Sequence, residues 1–182
     1  MQFFTPSDLT SRATAAIANR RRSFGAMYES DVAIMAKDAS EYGVFKAYDI
    51  FLSHSFSDAH FVYGLRSALE EYGCSAYVYW IDESAAQAKV TPETAEQLRR
   101  RMKSCKALLY ATSENAENSK WMPWELGYFD GIQGKVAVCP VTYASTFDGR
   151  EYLGLYPIME KDFWLWKDGH LYKKLRDWLN ET

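Results

Sequence analysis

Four short apolar runs, each followed by a helix-patterned stretch, leave this chain few ways to fold. The runs occupy residues 44–53, 75–81, 106–112 and 135–141. They are largely apolar rather than strictly alternating, as in parallel strands covered on both faces. Beyond the first run, Ser57 offers a cap, and Phe61, Leu65, Ala68, Leu69 and Tyr72 share one helical face that Gly73 ends. Thr91-Pro92-Glu93 opens a further helix with a cap, a proline and a first-turn acid, and Ala95, Leu98 and Met102 face inward. Trp121, Trp124 and Tyr128 recur at helical spacing around Pro123, with Gly131 as the expected stop. A short fifth strand at 163–166 and a closing helix over 169–179, with Leu171, Leu175, Trp178 and Leu179 inward, complete the pattern. Strands alternating with helices are joined by right-handed crossovers. The predicted fold class is therefore α/β, a doubly wound parallel sheet of about five strands.

Residues 1–46 read as a helical N-terminal extension, and 47–182 as the α/β domain. Ser7-Asp8 or Thr10-Ser11 is positioned to cap a first helix, and a second helical run covers residues 26 to 42. The triple arginines at 20–22 and 99–101 read as solvated helix faces or ends, and Glu96 and Arg100 form an i,i+4 pair. The formal charge of −3 argues against a nucleic-acid module. No apolar run is long enough to span a bilayer, and the first residues lack the pattern of a signal peptide. Cys74, Cys105 and Cys139 are odd in number and widely spaced, which fits buried free thiols in a reducing cytoplasm rather than a disulfide framework. His54, His60 and His170 show no paired spacing, so no metal site is expected.

Open parallel sheets place their sites beyond the carboxyl ends of the strands. Three loops converge there, at 53–57, 80–86 and 113–124. Glu125 stands at the rim, between indoles and large apolar residues. Beside such groups a carboxylate is partly desolvated and its pKa rises, as suits chemistry on a cationic or sugar-like substrate. The plainer reading is a first-turn acid that only complements free N–H groups and the helix dipole. Trp121 and Trp124 are equally readable as core, His54 as an ordinary loop residue, and Ser55 as a turn cap.

Tyr48-Asp49-Ile50-Phe51-Leu52-Ser53-His54-Ser55, followed by Ser57-Asp58, resembles the opening motif of Toll/interleukin-1 receptor (TIR) domains. The tryptophan-rich segment around Glu125 resembles the block that carries the catalytic glutamate of the family's enzymatic members. The likeness spans about residues 47–180 and is to bacterial TIR proteins, including those of Thoeris-type antiphage systems. It implies a flavodoxin-like TIR fold and an enzyme that cleaves NAD+ at the nicotinamide–ribose bond, releasing nicotinamide and linear or cyclic ADP-ribose. Glu125 would be catalytic. His54, Ser55, Phe56, Trp80, Asp82, Ser84 and Trp121 would contact NAD+, which is the substrate, with no separate cofactor. Where the second block often carries an aspartate, this chain has Tyr79, and Asp82 follows three residues on. The implied partners are a second copy of the chain and a downstream effector that senses the nucleotide product. A competing function from another class is a non-enzymatic TIR interaction module. A nucleoside deoxyribosyltransferase-like enzyme also uses a glutamate on a related sheet. A phosphoacceptor receiver domain needs an acidic cluster that Ser53-His54-Ser55 does not supply.

Overall fold

In a computed structural model, residues 1–40, 47–79, 91–147, 149 and 151–181 are described. Among them a seven-stranded sheet has the order β2-β1-β3-β4-β5-β6-β7. Its strands are β1 (Tyr48–Ser53), β2 (Ala76–Tyr77), β3 (Cys105–Thr112), β4 (Val136–Pro140), β5 (Ile158–Met159), β6 (Trp164–Lys167) and β7 (His170–Lys174). The first five in sequence pair in parallel, and β6 and β7 add on antiparallel. The α-helices among the described residues are α1 (Pro6–Ser23), α2 (Asp31–Ser40), α3 (Ala59–Glu71), α4 (Pro92–Lys103), α5 (Met122–Gln133) and α6 (Leu175–Leu179).

Strand alternation separates the core into two layers. Ile50, Leu52, Ala107, Leu109, Ala137 and Cys139 face one way, against Leu9 of α1, Val62, Leu65 and Leu69 of α3, and Leu175 and Trp178 of α6. Phe51, Leu108, Tyr110, Val136 and Val138 face the other way, against Leu98 and Met102 of α4 and Met122, Leu126 and Phe129 of α5. Cys74, Cys105 and Cys139 are buried free thiols.

The N-terminal segment shares this core. The Phe4 carbonyl accepts from Thr142 N at 3.0 Å, and Phe4 bridges in parallel to Val141. Helix α1 crosses α3 so closely that a Cβ on Gly64 would lie 2.0 Å from the Leu9 carbonyl oxygen. Thr5, rather than Ser7 or Thr10, caps α1, its Oγ1 accepting from Asp8 N at 3.1 Å. Arg20, Arg21 and Arg22 fall in the last turn, where cations complement the dipole. Thr91 caps α4 as expected, accepting from Thr94 N at 3.2 Å. Glu96 and Arg100 pair at 3.2 Å.

Three further expectations are corrected. The stretch 169–179 is not one helix. Asp168 (φ 51°) and Gly169 (φ 76°) form a two-residue turn with both centres left-handed, and Lys167 pairs with His170 across it. Such a turn makes a β-hairpin, so His170–Lys174 is a strand and only Leu175–Leu179 is helical. Leu171, expected inward, is 50% exposed. Helix α5 runs past Gly131 to Gln133, and Gly134, at φ 64°, caps it by donating to the Asp130 carbonyl at 2.9 Å. Asp58, not Ser57, is the N-cap residue of α3.

Candidate active site

Strand β1 ends at Ser53, and β3 runs beside it with Tyr110 in register. Helix α5 begins just past the carboxyl end of β3, with Pro123 in its first turn and the Glu125 N–H donating to the Trp121 carbonyl at 2.8 Å. This geometry turns Glu125 back over the end of β1. The Ser53 hydroxyl, itself 1% exposed, donates to Glu125 Oε2 at 2.6 Å. Ser53 is the sole side-chain hydrogen-bond partner of this carboxylate among the described residues. Among the described residues, no backbone amide and no cation occupies the other oxygen. Glu125 is 6% exposed, and burial pushes its carboxyl up to about 7, with the Ser53 bond pulling the other way.

Beside the carboxylate lies a cavity of about 70 Å³, lined by Phe51, Leu52, His54, Phe56, Tyr79, Leu98, Ser119, Trp121 and Glu125. That is room for roughly two waters. His54 Nδ1 donates to the Leu52 carbonyl at 3.0 Å. Burial lowers the ring's pKa to about 4, so at neutral pH the imidazole is uncharged and Nε2 is an acceptor. Phe56 and Trp121 supply apolar walls. Trp121 meets Trp124 edge-on at 5.3 Å, and Trp124 stacks on Tyr128 at 5.7 Å and 15°. Arg99 of α4 lies over the Trp124 ring at 5.4 Å. Trp121 thus lines the cavity, while Trp124 knits α5 to α4.

The structure gathers four of the residues singled out from the sequence, His54, Phe56, Trp121 and Glu125, around one cavity. Ser55 is buried nearby, with its carbonyl accepting from Asp58 N at 3.0 Å, but it is not among the lining residues. Trp80, Asp82 and Ser84 lie outside the described residues. Ser53 was missed. Its only signal was a hydroxyl closing an apolar strand, and that does not reveal which carboxylate it meets 72 positions on. Tyr79, noted for standing in place of an aspartate, is a wall residue. No helix among the described residues is long and apolar enough to cross a membrane.

A protein of Bacillus cereus (strain MSX-D12), named as a probable 3′ cyclic ADP-D-ribose synthase, ThsB′, is 42% identical to this chain over 100% of both lengths. A protein of Cytobacillus dafuensis, named with similar reserve as a cyclic ADP-D-ribose synthase, TIR2, is 28% identical over 52% of this chain and 25% of its own length. The family model described as the TIR domain matches residues 50–176, from the middle of β1 into α6. The parallel strands β2-β1-β3-β4-β5 from Ile50 on, the opening motif from the same residue and the rim carboxylate of α5 fall within that match, and the chain belongs to the TIR domain family.

Proposed function

We propose that this protein cleaves NAD+ at the nicotinamide–ribose bond and closes the remaining ADP-ribose on itself, giving the 3′ cyclic form for which its full-length relative is named. The observation that carries the reading is Glu125: buried, held by one neutral donor, with an oxygen left for a ligand beside the cavity. Nicotinamide leaves as a neutral molecule with the bonding electron pair, so no general acid is required. The ribose passes through an oxocarbenium-like state, as in glycoside hydrolysis. An ionised Glu125 stabilises that positive charge and orients the ribose hydroxyls. An internal nucleophile of the same molecule then bonds to the anomeric carbon and gives up a proton. A carboxyl poised near 7 is suited to accept it. Phe56 and Trp121 exclude water and favour ring closure over hydrolysis. Ser53 fixes Oε2 and leaves Oε1 to the substrate. The cyclic nucleotide would act as a signal in antiphage defence, read by an effector that binds it.

A second reading is a TIR module that acts by association alone. It draws on the size of the cavity, far below the roughly 300–1,000 Å³ usual for ligand pockets. Incubating concentrated protein with NAD+ and separating the products decides between them. Release of nicotinamide with a cyclic product supports the enzyme. No turnover at concentrations where the chain self-associates supports the module.

A further inference from the structure

Asp58 is 1% exposed, and its hydrogen-bond partners among the described residues are neutral. It occupies the N-cap position of α3, where an aspartate ordinarily accepts from an amide of the first turn, worth about 1 kcal/mol. Here it makes no such bond. Its carboxylate is turned instead to the β3–α5 loop, where Oδ2 accepts from the Ser113 hydroxyl and Oδ1 from Asn115 Nδ2 at 2.6 Å. Burial pushes the Asp58 carboxyl above its usual range, and these two donors pull it back. The local cap is given up for a link between two segments 55 positions apart.

Those two segments lead into two parts of the lining of the Glu125 cavity, Phe56 on one and Ser119 and Trp121 on the other. On one side, Asp58 N donates to the Ser55 carbonyl at 3.0 Å, which closes the turn that presents Phe56. On the other, the Asn115 N–H donates to Ser113 Oγ at 3.1 Å, a 3₁₀ turn spans Ala116–Asn118, and Ser119 Oγ accepts from Met122 N at 3.3 Å. Met122 begins the helix that carries Glu125. A bonded path therefore runs from the backbone beside Phe56, through Asp58, to the start of α5. Asp58 is not among the lining residues of the cavity.

We propose that Asp58 is a positioning residue for the nucleotide site, setting the gap between the Phe56 wall and the Ser119–Trp121 wall, and with it the affinity for the dinucleotide. This rests on the NAD+ reading above. A gap set at a distance acts on substrate binding more than on the bond-breaking step, because the Glu125 carboxylate itself is held by Ser53 and not by Asp58.

The test is steady-state kinetics on NAD+ with the full chain, comparing wild type, Glu125→Gln, Asp58→Ala, Asp58→Asn and the double variant Ser113→Ala/Asn115→Ala. Thermal unfolding confirms that each is folded at the assay temperature. Asp58→Ala is expected to raise KM about tenfold with kcat within about threefold, since a site wall left unanchored must be ordered when the ligand binds, and that cost weakens affinity. Asp58→Asn keeps the shape: its carbonyl accepts from Asn115 and its amide donates to Ser113 Oγ. It should recover most of the loss. The double variant removes the same link without touching Asp58 or a cavity wall, and should raise KM similarly, so the proposal stays testable if Asp58→Ala does not fold. Wild-type KM in folded Asp58→Ala or in the double variant overturns the proposal. So does Asp58→Asn as impaired as Asp58→Ala, which would assign the effect to charge, or a fall in kcat with KM unchanged. Wild-type protein that leaves NAD+ intact overturns the NAD+ reading and this proposal together. An active wild type and an inactive Glu125→Gln, with Asp58 variants unaltered, overturn only the positioning role.

Discussion

Asp38 and Glu125 are both buried carboxylates, 2% and 6% exposed, in opposite surroundings. Asp38 of α2 sits where α1, α2 and α3 meet. Arg66 and the Tyr63 hydroxyl donate to its Oδ2, the latter at 3.0 Å, and Arg20 pairs with its Oδ1 at 2.9 Å. Arg66 is shared with Glu70 at 2.8 Å. Among the described residues, Glu125 meets one hydroxyl and a cavity. A buried charge that the fold surrounds with cations is spent on joining helices. One that the fold leaves with a single neutral donor is costly to keep ionised, and that cost persists where chemistry uses the charge.

The largest expected effect is on catalysis. Glu125→Gln keeps the shape and removes the charge, and should lower NAD+ turnover by about 10³-fold, read as nicotinamide release. A Gln variant with wild-type turnover would break the contrast between the two sites. Next comes stability at the other carboxylate. Asp38→Ala leaves Arg66 buried without its main partner and should cost about 3–5 kcal/mol, seen as a lower unfolding midpoint in denaturant. In the fraction that remains folded, the KM for NAD+ should be unchanged. Loss of activity without loss of stability would make Asp38 a site residue instead.

The third prediction follows from linkage. The Glu125 carboxyl is raised from 4.5 to about 7. The folded state therefore binds more protons than the unfolded state between those values, and stability contributed by this group is lost as pH rises from about 4.5 through about 7. Removing the titration with Glu125→Gln should stabilise the protein at pH 8 relative to wild type, by on the order of 3 kcal/mol, with little difference at pH 4. A denaturant series at the two pH values checks it. The pH dependence of activity runs the other way: the ionised form is needed, so kcat/KM should rise through about pH 7 and level off above it.

The smallest effect is expected at Ser53. Ser53→Ala removes the donor that favours ionised Glu125, so the acid limb of the pH–activity profile should move upward. Activity at pH 7 should fall about tenfold and recover at higher pH. A loss that is uniform across pH would mean that Ser53 only shapes the cavity.

The order of these regions was readable from the chain to different depths. The runs at β1, β3 and β4 announced themselves, because a strand buried on both faces must be apolar nearly throughout. The cap Thr91 with Pro92 and Glu93 fixed the start of α4 for a similarly local reason. The C-terminal hairpin was missed although Asp168-Gly169 is a strong turn signal. Leu171, Leu175, Trp178 and Leu179 happen to fall at helical spacing, and a helical reading absorbed them. Glu125 was found because it stands next to the strand ends, where sites in such sheets lie, and His54, Phe56 and Trp121 were singled out as ligand contacts through the resemblance to TIR domains. Ser53 and Asp58 were read as a strand end and a motif residue, since nothing in their neighbours' identities says what they touch.

By itself, then, the sequence determined the layers, the parallel centre of the sheet and the rim on which an acid would matter. Periodicity and capping depend only on residues a turn or a strand apart. The tertiary structure decided which buried carboxylate meets cations and which meets a lone hydroxyl. It also turned the Asp58 side chain from its own helix to a loop 55 positions away. Those choices depend on distances between segments remote in sequence, and burial beside the cavity, against the pull of its partner Ser53, is what raises the pKa of Glu125.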